Sequence, residues 1–255
     1  MGKYFSTTLK PVLPVATQIG SGTTDLAFGP GDVMWDWHAF DVPKGANRLI
    51  SCTIIVRGED GAPQTVRDLQ LIFAKSDADG TAPTSLGTGN ATVDGYGYYN
   101  NLLAHKIIDI TEHAVHLDYI GMATGGGAGQ SGLIPGQHII LQGEPDSGTN
   151  VGYDKLYIGG IGGASNAWDF STGVLANAAV SDGAASTFVV KTVDPRKVFA
   201  PGDVIHVHDS DTAIGTVKSL TDNDIILTAA NGVAIAEDDE IMLASPVTVI
   251  LGFER

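Results

Sequence analysis

The residues of this chain that could do chemistry are seven histidines, one cysteine and a surplus of carboxylates. His206 and His208 stand two apart in an alternating run, so both project from one face of a strand, with Asp209 and Asp211 just beyond. His113 and His116 make a second pair beside Glu112. A catalytic zinc needs three protein ligands around an open position, each oriented by outer hydrogen bonds. Neither pair is spaced with a third ligand. The expectation for His206 and His208 is a solvated strand face.

The other constellations are equally incomplete. Asp209-Ser-Asp211 and Asp77-Ala-Asp79-Gly80 resemble the opening of a calcium loop, yet neither has the correctly placed glycine and closing glutamate. Residues 237–240 (EDDE) read as a solvated hairpin tip. The glycine tracts at 121–129 and 159–163 lack the Lys-Ser/Thr of a phosphate loop and open no evident helix. There is no G-x-S-x-G, and the carboxylates are too plentiful to single out a glycosidase pair. Cys52 sits in an apolar run, where a buried thiol is expected; alone, it forms no disulfide within the chain. That fits folding in a reducing cytosol. No catalytic, cofactor-binding or metal-binding residue is assigned, no cofactor is expected, and the chain reads as a non-enzyme.

Aromatic residues offer recognition instead. Trp35 and Trp37 share one strand face, Trp168 lies in NAWDF, and Tyr96, Tyr98 and Tyr99 crowd a glycine-rich loop. Such rings plug a core, anchor a subunit contact or stack on sugars. Core or interface is the expectation. The glycan alternative rests on Trp35, Trp37, Tyr96 and Tyr98.

The elements that must position these residues are strands. Only 17% of the 255 residues are charged and 33 are glycine, which suits tight turns and close-packed strands better than salt-bridged helices. Candidate strands cover 33–40, 47–57, 65–76, 107–110, 116–122, 137–143 and 155–159, and a further strand spans 245–254. The 65–76 run slips once from period two, which marks a bulge. Short helices are expected near 99–106 and 171–178. Between 199 and 243, apolar-alternating runs at 204–208, 214–220, 225–227 and 240–243 recur every eight to twelve residues, the rhythm of a small barrel.

The expected fold is therefore mainly β: a jelly-roll-like antiparallel β-sandwich plus a small C-terminal β-barrel. Residues 1–25 read as an extended arm, 26–180 as the sandwich and 181–245 as the barrel. Residues 246–255 form a terminal strand that either returns to the first domain or ends a tandem layout. The arm is either a first strand with its loop or a reach towards a neighbouring subunit; Tyr4, Phe5, Leu9, Val12, Leu13 and Val15, with Leu133 and Ile134 of a long glycine-rich loop, are the candidate contact residues. One local echo joins the two domains. FGPGDV at 28–33 and FAPGDV at 199–204 each place a Pro-Gly turn, an Asp and the start of a strand in the same order.

The net charge of −15, with only 14 basic residues, is the opposite of what displaces counterions from a phosphate backbone, so direct nucleic-acid binding is not expected. No run approaches the roughly 18 apolar residues of a membrane helix. MGKYFS matches a loose myristoylation pattern with nothing polybasic to support it, and the first twenty residues lack the apolar core of a signal peptide.

In texture, residues 49–76, 81–93 (TAPTSLGTGNATV), 166–177 (NAWDFSTGVLAN) and 199–228 resemble virion structural proteins of tailed bacteriophages, of the marine and cyanophage type. The resemblance implies a protein that coats or joins capsid or tail components. The expected function is a capsid decoration or cement protein, partnered by the major capsid protein or other virion proteins. It would be homo-oligomeric with a trimer favoured, and located in the virion after assembly in the host cytoplasm. A tail-associated or fibre-base protein that binds host glycan is the alternative, and a polysaccharide hydrolase the third.

Overall fold

A computed structural model describes residues 3–14, 27–43, 45–58, 60–61, 67–77, 81–109, 114–117, 120–126, 139–143, 155–163, 167–170, 172–210 and 212–255. It is mainly β, with several antiparallel sheets and one closed six-stranded barrel. The strands, in chain order, begin with β1 (Tyr4–Leu9), β2 (Ala27–Phe28), β3 (Val33–Asp41), β4 (Gly45–Arg57), β5 (Leu69–Lys75) and β6 (Leu102–Ile108). There follow β7 (Ala114–Leu117), β8 (Ile120–Gly126), β9 (Ile140–Gly143), β10 (Lys155–Gly162), β11 (Trp168–Asp169) and β12 (Val174–Ala176). The last six are β13 (Thr187–Lys191), β14 (Val204–Val207), β15 (Ala213–Leu220), β16 (Asp224–Leu227), β17 (Glu240–Leu243) and β18 (Val247–Glu254).

Two sheets share one core. The larger runs β1-β18-β4-β8-β7, with β9 also pairing the start of β4, and the smaller runs β3-β10-β5-β6. Period two decides which side chains turn inward, with one slip in β4 between Leu49 and Cys52 where the register with β18 shifts. From the larger sheet come Leu49, Cys52, Ile54 and Val56 of β4 and Val247, Val249, Leu251 and Phe253 of β18. Leu69, Leu71 and Phe73 of β5 meet them from the smaller sheet, with Leu156 and Ile158 of β10. The terminal strand thus lies between β1 and β4 in the larger sheet, pairing Val247 with Val56 at one end and Phe5 with Phe253 at the other. The slip in the 65–76 run falls between Val66, which lies outside the described residues, and Leu69. Leu69, Leu71 and Phe73 keep period two, and a separate register shift against β6 lies between Phe73 and Ala74.

The barrel closes in the order β12-β13-β16-β15-β14-β17, with β17 returning to β12. It takes in Val174–Ala176, upstream of residue 181, because β12 supplies the strand that joins β13 to β17. Closure leaves no free edge. Its interior is filled by Val174, Phe188, Ile205, Ile214, Ile225, Leu227 and Ile241.

The repeated hexapeptides fold alike. In the first, Asp32 N–H donates to Gly29 O at 3.1 Å and Gly29 N–H donates to Asp32 Oδ2 at 2.7 Å. In the second, Asp203 N–H donates to Ala200 O and Ala200 N–H to Asp203 Oδ2, at the same 3.1 and 2.7 Å. Proline presets the second turn position and glycine takes the positive φ at the third, 87° at Gly31 and 94° at Gly202. Residues 236–239 repeat the pattern without either residue: Ala236 N–H donates to Asp239 Oδ2 at 2.6 Å while Asp238 holds φ 69°.

Two expected helices are strands or turns. Residues 99–101 form one 3-10 turn and Leu102–Ile108 then pairs with β5, because the sequence closes on an alternating apolar run whose Lys106 and Ile108 face inward. Within 171–178, Val174–Ala176 is barrel strand β12. The single strand expected at 116–122 is instead the hairpin β7–β8.

Candidate functional site

Among the described residues, the loop at 81–101 lies along the outer edge of β3 and is held there by several hydrogen bonds. Val33 N–H donates to Ala91 O at 2.9 Å, and Asn90 N–H donates back to Val33 O at 2.9 Å. Asp36 Oδ1 accepts from Leu86 N–H at 3.0 Å, and Trp37 Nε1 donates to Thr84 O at 2.8 Å. Leu86 is fully buried with Val33 and Tyr98 in a satellite core, against which Trp37 packs. The far end of the loop is pinned by Asn101, whose Nδ2 donates to Ser76 O at 3.1 Å and Asp77 Oδ1 at 2.8 Å. A loop held at both ends presents its side chains in fixed places.

What it presents is aromatic. Tyr96 and Tyr99 are 77% and 60% exposed, and Leu102 and Leu103 at the start of β6 are exposed beside them. Tyr98 turns the other way: it is buried, edge-on to Trp37 at 5.9 Å. Its phenol is pushed above the ordinary tyrosine range by burial first, then by Tyr99 and Asp94. It stays neutral.

Of the four residues named for glycan stacking, Tyr96 is open and Trp37 half-buried, while Tyr98 and Trp35 are core. Trp35 is 2% exposed, with its indole over Gly160, where an added Cβ would stand 2.4 Å from the ring. A sugar has no access to either face. That matches the core expectation for Trp35 and Tyr98 and takes both out of the glycan alternative; Tyr99, in the same loop, is the ring that joins Tyr96 at the surface. The cause is the register irregularity in β10 at Gly160, which lets Met34 and Trp35 both enter the core.

The arm residues divide by face. On β1, Tyr4 is exposed, Phe5 is half-buried and stacked 5.0 Å from Phe253, and Leu9 is buried. Beyond the strand, Leu13 is buried, with its N–H donating to Ala244 O at 3.0 Å, and Val12 is 58% exposed. Leu9 and Leu13 therefore serve this chain's own core and are not free for a neighbour. Val15, Leu133 and Ile134 lie outside the described residues.

The histidine face is not solvated. His206 is buried and His208 half-buried, its Nδ1 3.9 Å from Glu240 Oε2. Both line a cavity of about 20 Å³ with Leu13, Pro14, Phe170 and Met242, room for about one water. The reason is tertiary: chain preceding and following the barrel packs over that side of β14. His113, Asp79 and Asp211 lie outside the described residues. Among the described residues no group of three or more His, Cys, Asp or Glu is placed to hold a metal ion. Residues 237–239 lie in the turn already described, with Lys191 against Glu237 and Asp238, and Glu240 opens β17 beside His208. Asp238 and Glu237 raise the Lys191 ammonium above its ordinary value.

Spacing alone did not expose two other charged residues. Arg57, at the end of β4, meets Asp203 of the barrel at 2.8 Å and also donates to Val198 O. Lys106 is buried on β6 with its charge felt at Cys52 across the core. The inward turn of Lys106 was legible only as its place in the alternation with Ile108. No protein-family model matches the chain, and a comparison with curated proteins finds no relative.

Proposed function

We propose that this chain is a structural protein of a tailed-phage particle, a capsid decoration or cement protein that binds the major capsid shell and stabilises it through contacts between subunits. One observation carries the reading. Counting β1, β3, β4, β5, β6, β8, β10 and β18 as strands 1 to 8, the two sheets run 1-8-3-6 and 2-7-4-5. That order is a folded-over set of antiparallel pairs, 1 with 8, 2 with 7, 3 with 6 and 4 with 5. We read that order as the winding of a jelly roll, an architecture shared by viral capsid and lectin domains. The barrel is then an insertion between the seventh and eighth strands. Fold analogy supplies a class of function and no more; the phage-like texture of the sequence narrows it.

The experiment is mass by light scattering of the purified protein, alone and mixed with capsid shells, followed by sedimentation. A discrete oligomer that travels with the shells supports decoration. A protein that ignores shells overturns it.

A second reading, a tail-associated protein binding host glycan, draws on Tyr96 and Tyr99, two exposed rings on a pinned loop. Jelly rolls also serve as lectins. A glycan array decides it: binding lost on Tyr96→Ala and Tyr99→Ala supports this reading, and an empty array removes it.

A further inference from the structure

Open strand edges are templates for another chain, and each is normally guarded. Among the described residues the two sheets have five: β1, β7 and β9 on the larger, β3 and β6 on the smaller. Strand β9 is only four residues long, and shortness itself blunts an edge. The β3 edge is covered by the 81–101 loop through Val33, Ala91 and Asn90. The β6 edge carries Lys106 turned inward, a charge that discourages an approaching strand. The side chains of β7 are outside the described residues. Strand β1 has neither guard. Its sequence, YFSTTL, is uncharged, and among the described residues its outer edge pairs with no strand.

The backbone register shows which groups face outward. Lys3 and Arg255 exchange both hydrogen bonds, at 3.1 and 2.9 Å. Hydrogen-bonded and non-bonded pairs alternate along an antiparallel ladder, so Phe5, Thr7 and Leu9 bond to β18. Tyr4, Ser6 and Thr8 therefore direct their N–H and C=O groups to the open side. We infer that β1 pairs antiparallel with β1 of a second copy about a two-fold axis through Ser6, joining two six-stranded sheets into one.

The segment is self-complementary in that register. Ser6 faces Ser6, and Tyr4 faces Thr8 of the other copy, so the same three residues supply every donor and every acceptor. Phe5, half-buried on Phe253, is covered by the opposing Thr7. Charge agrees. A chain carrying −15 repels its own copy over most of its surface, whereas this edge is neutral and flanked by Lys3 and Lys10. A two-fold contact of identical surfaces is the commonest way a chain closes on itself. The pairing concerns the free protein and stands apart from the capsid reading.

The test is light scattering over a concentration series, on the wild type and on Ser6→Pro. Because the Ser6 N–H points away from β18, proline removes no bond within the chain, and edge strands tolerate it. The expected result is a wild-type mass that rises to two chains while Ser6→Pro stays at one with an unchanged far-UV spectrum. With oxidised glutathione as the two-electron acceptor, Ser6→Cys is expected to form a covalent dimer, since facing Cα atoms of a bonded pair lie about 5.5 Å apart, within disulfide reach. A wild-type mass of one chain at every concentration overturns the pairing, as does an oligomer that Ser6→Pro leaves intact. Should Ser6→Pro fail to fold, amide exchange of the wild type decides. Protection of Tyr4, Ser6 and Thr8 that disappears on dilution supports the pairing, and exchange independent of concentration overturns it.

Discussion

Arg57 and Asp203, 146 positions apart in sequence, meet at 2.8 Å where the end of β4 touches the barrel. Asp203 also accepts the Ala200 N–H within its own Pro-Gly turn. One buried carboxylate therefore closes a turn and fastens two domains. Its counterpart Asp32 closes the same turn and has no ion pair among the described residues. The two aspartates form a natural comparison.

Asp203→Ala is expected to cost about 3 kcal/mol, because it leaves a half-buried guanidinium without its partner as well as opening the turn. Asp32→Ala is expected to cost about 1 kcal/mol, the value of a capping hydrogen bond. Urea unfolding of both variants measures the difference. Equal costs would mean that the Arg57 pair contributes nothing.

The third turn of this type carries a residue its geometry disfavours. Asp238 holds φ 69° where the other two turns have glycine. Asp238→Gly should therefore raise stability by roughly 0.5–1 kcal/mol, less the small contribution of the exposed contact to Lys191. The reverse change, Gly202→Ala, meets no atom within 4 Å, so its loss of about 1 kcal/mol would be pure backbone strain. Thermal melts of the pair should move in opposite directions.

Burial pushes the Cys52 thiol up to about 12, against a small opposing effect from Lys106. The thiolate is the reactive form. At pH 8 the folded protein should be silent to a disulfide reagent and react at once in denaturant. Rapid labelling of the native protein would show that the two sheets open at Cys52 without global unfolding.

His38, half-buried on β3, has its pKa lowered from 6.5 by desolvation. The neutral form is favoured in the fold, so the unfolded chain takes up the proton first as pH falls. The contribution to stability is complete above pH 6.5 and declines as pH drops from there towards the folded value. His38→Gln should flatten the stability profile in that window and leave pH 8 stability nearly unchanged. A profile with the same slope in both proteins would assign the acid sensitivity to other groups.

Much of the barrel was legible because its signals are local. Runs of period two, separated by Pro-Gly and Asp-rich turns, specify short antiparallel strands whatever surrounds them. The same holds for the paired hexapeptides, where proline, glycine and aspartate each have one job within four residues. The helix expected at 99–106 failed for the complementary reason. A mixed seven-residue run takes its structure from its neighbour, and here that neighbour is β5.

Sequence by itself determined that this chain is mainly β, where most strands run, how its turns close and that Cys52 is buried. These follow from alternation and turn chemistry, which need no distant partner. Tertiary structure alone decided that His206 is covered, that Trp35 is core while Tyr96 and Tyr99 face solvent, and that Arg57 finds Asp203. Each depends on which segments, far apart in the chain, are brought to lie against one another, and pairing between distant strands leaves no mark in local periodicity.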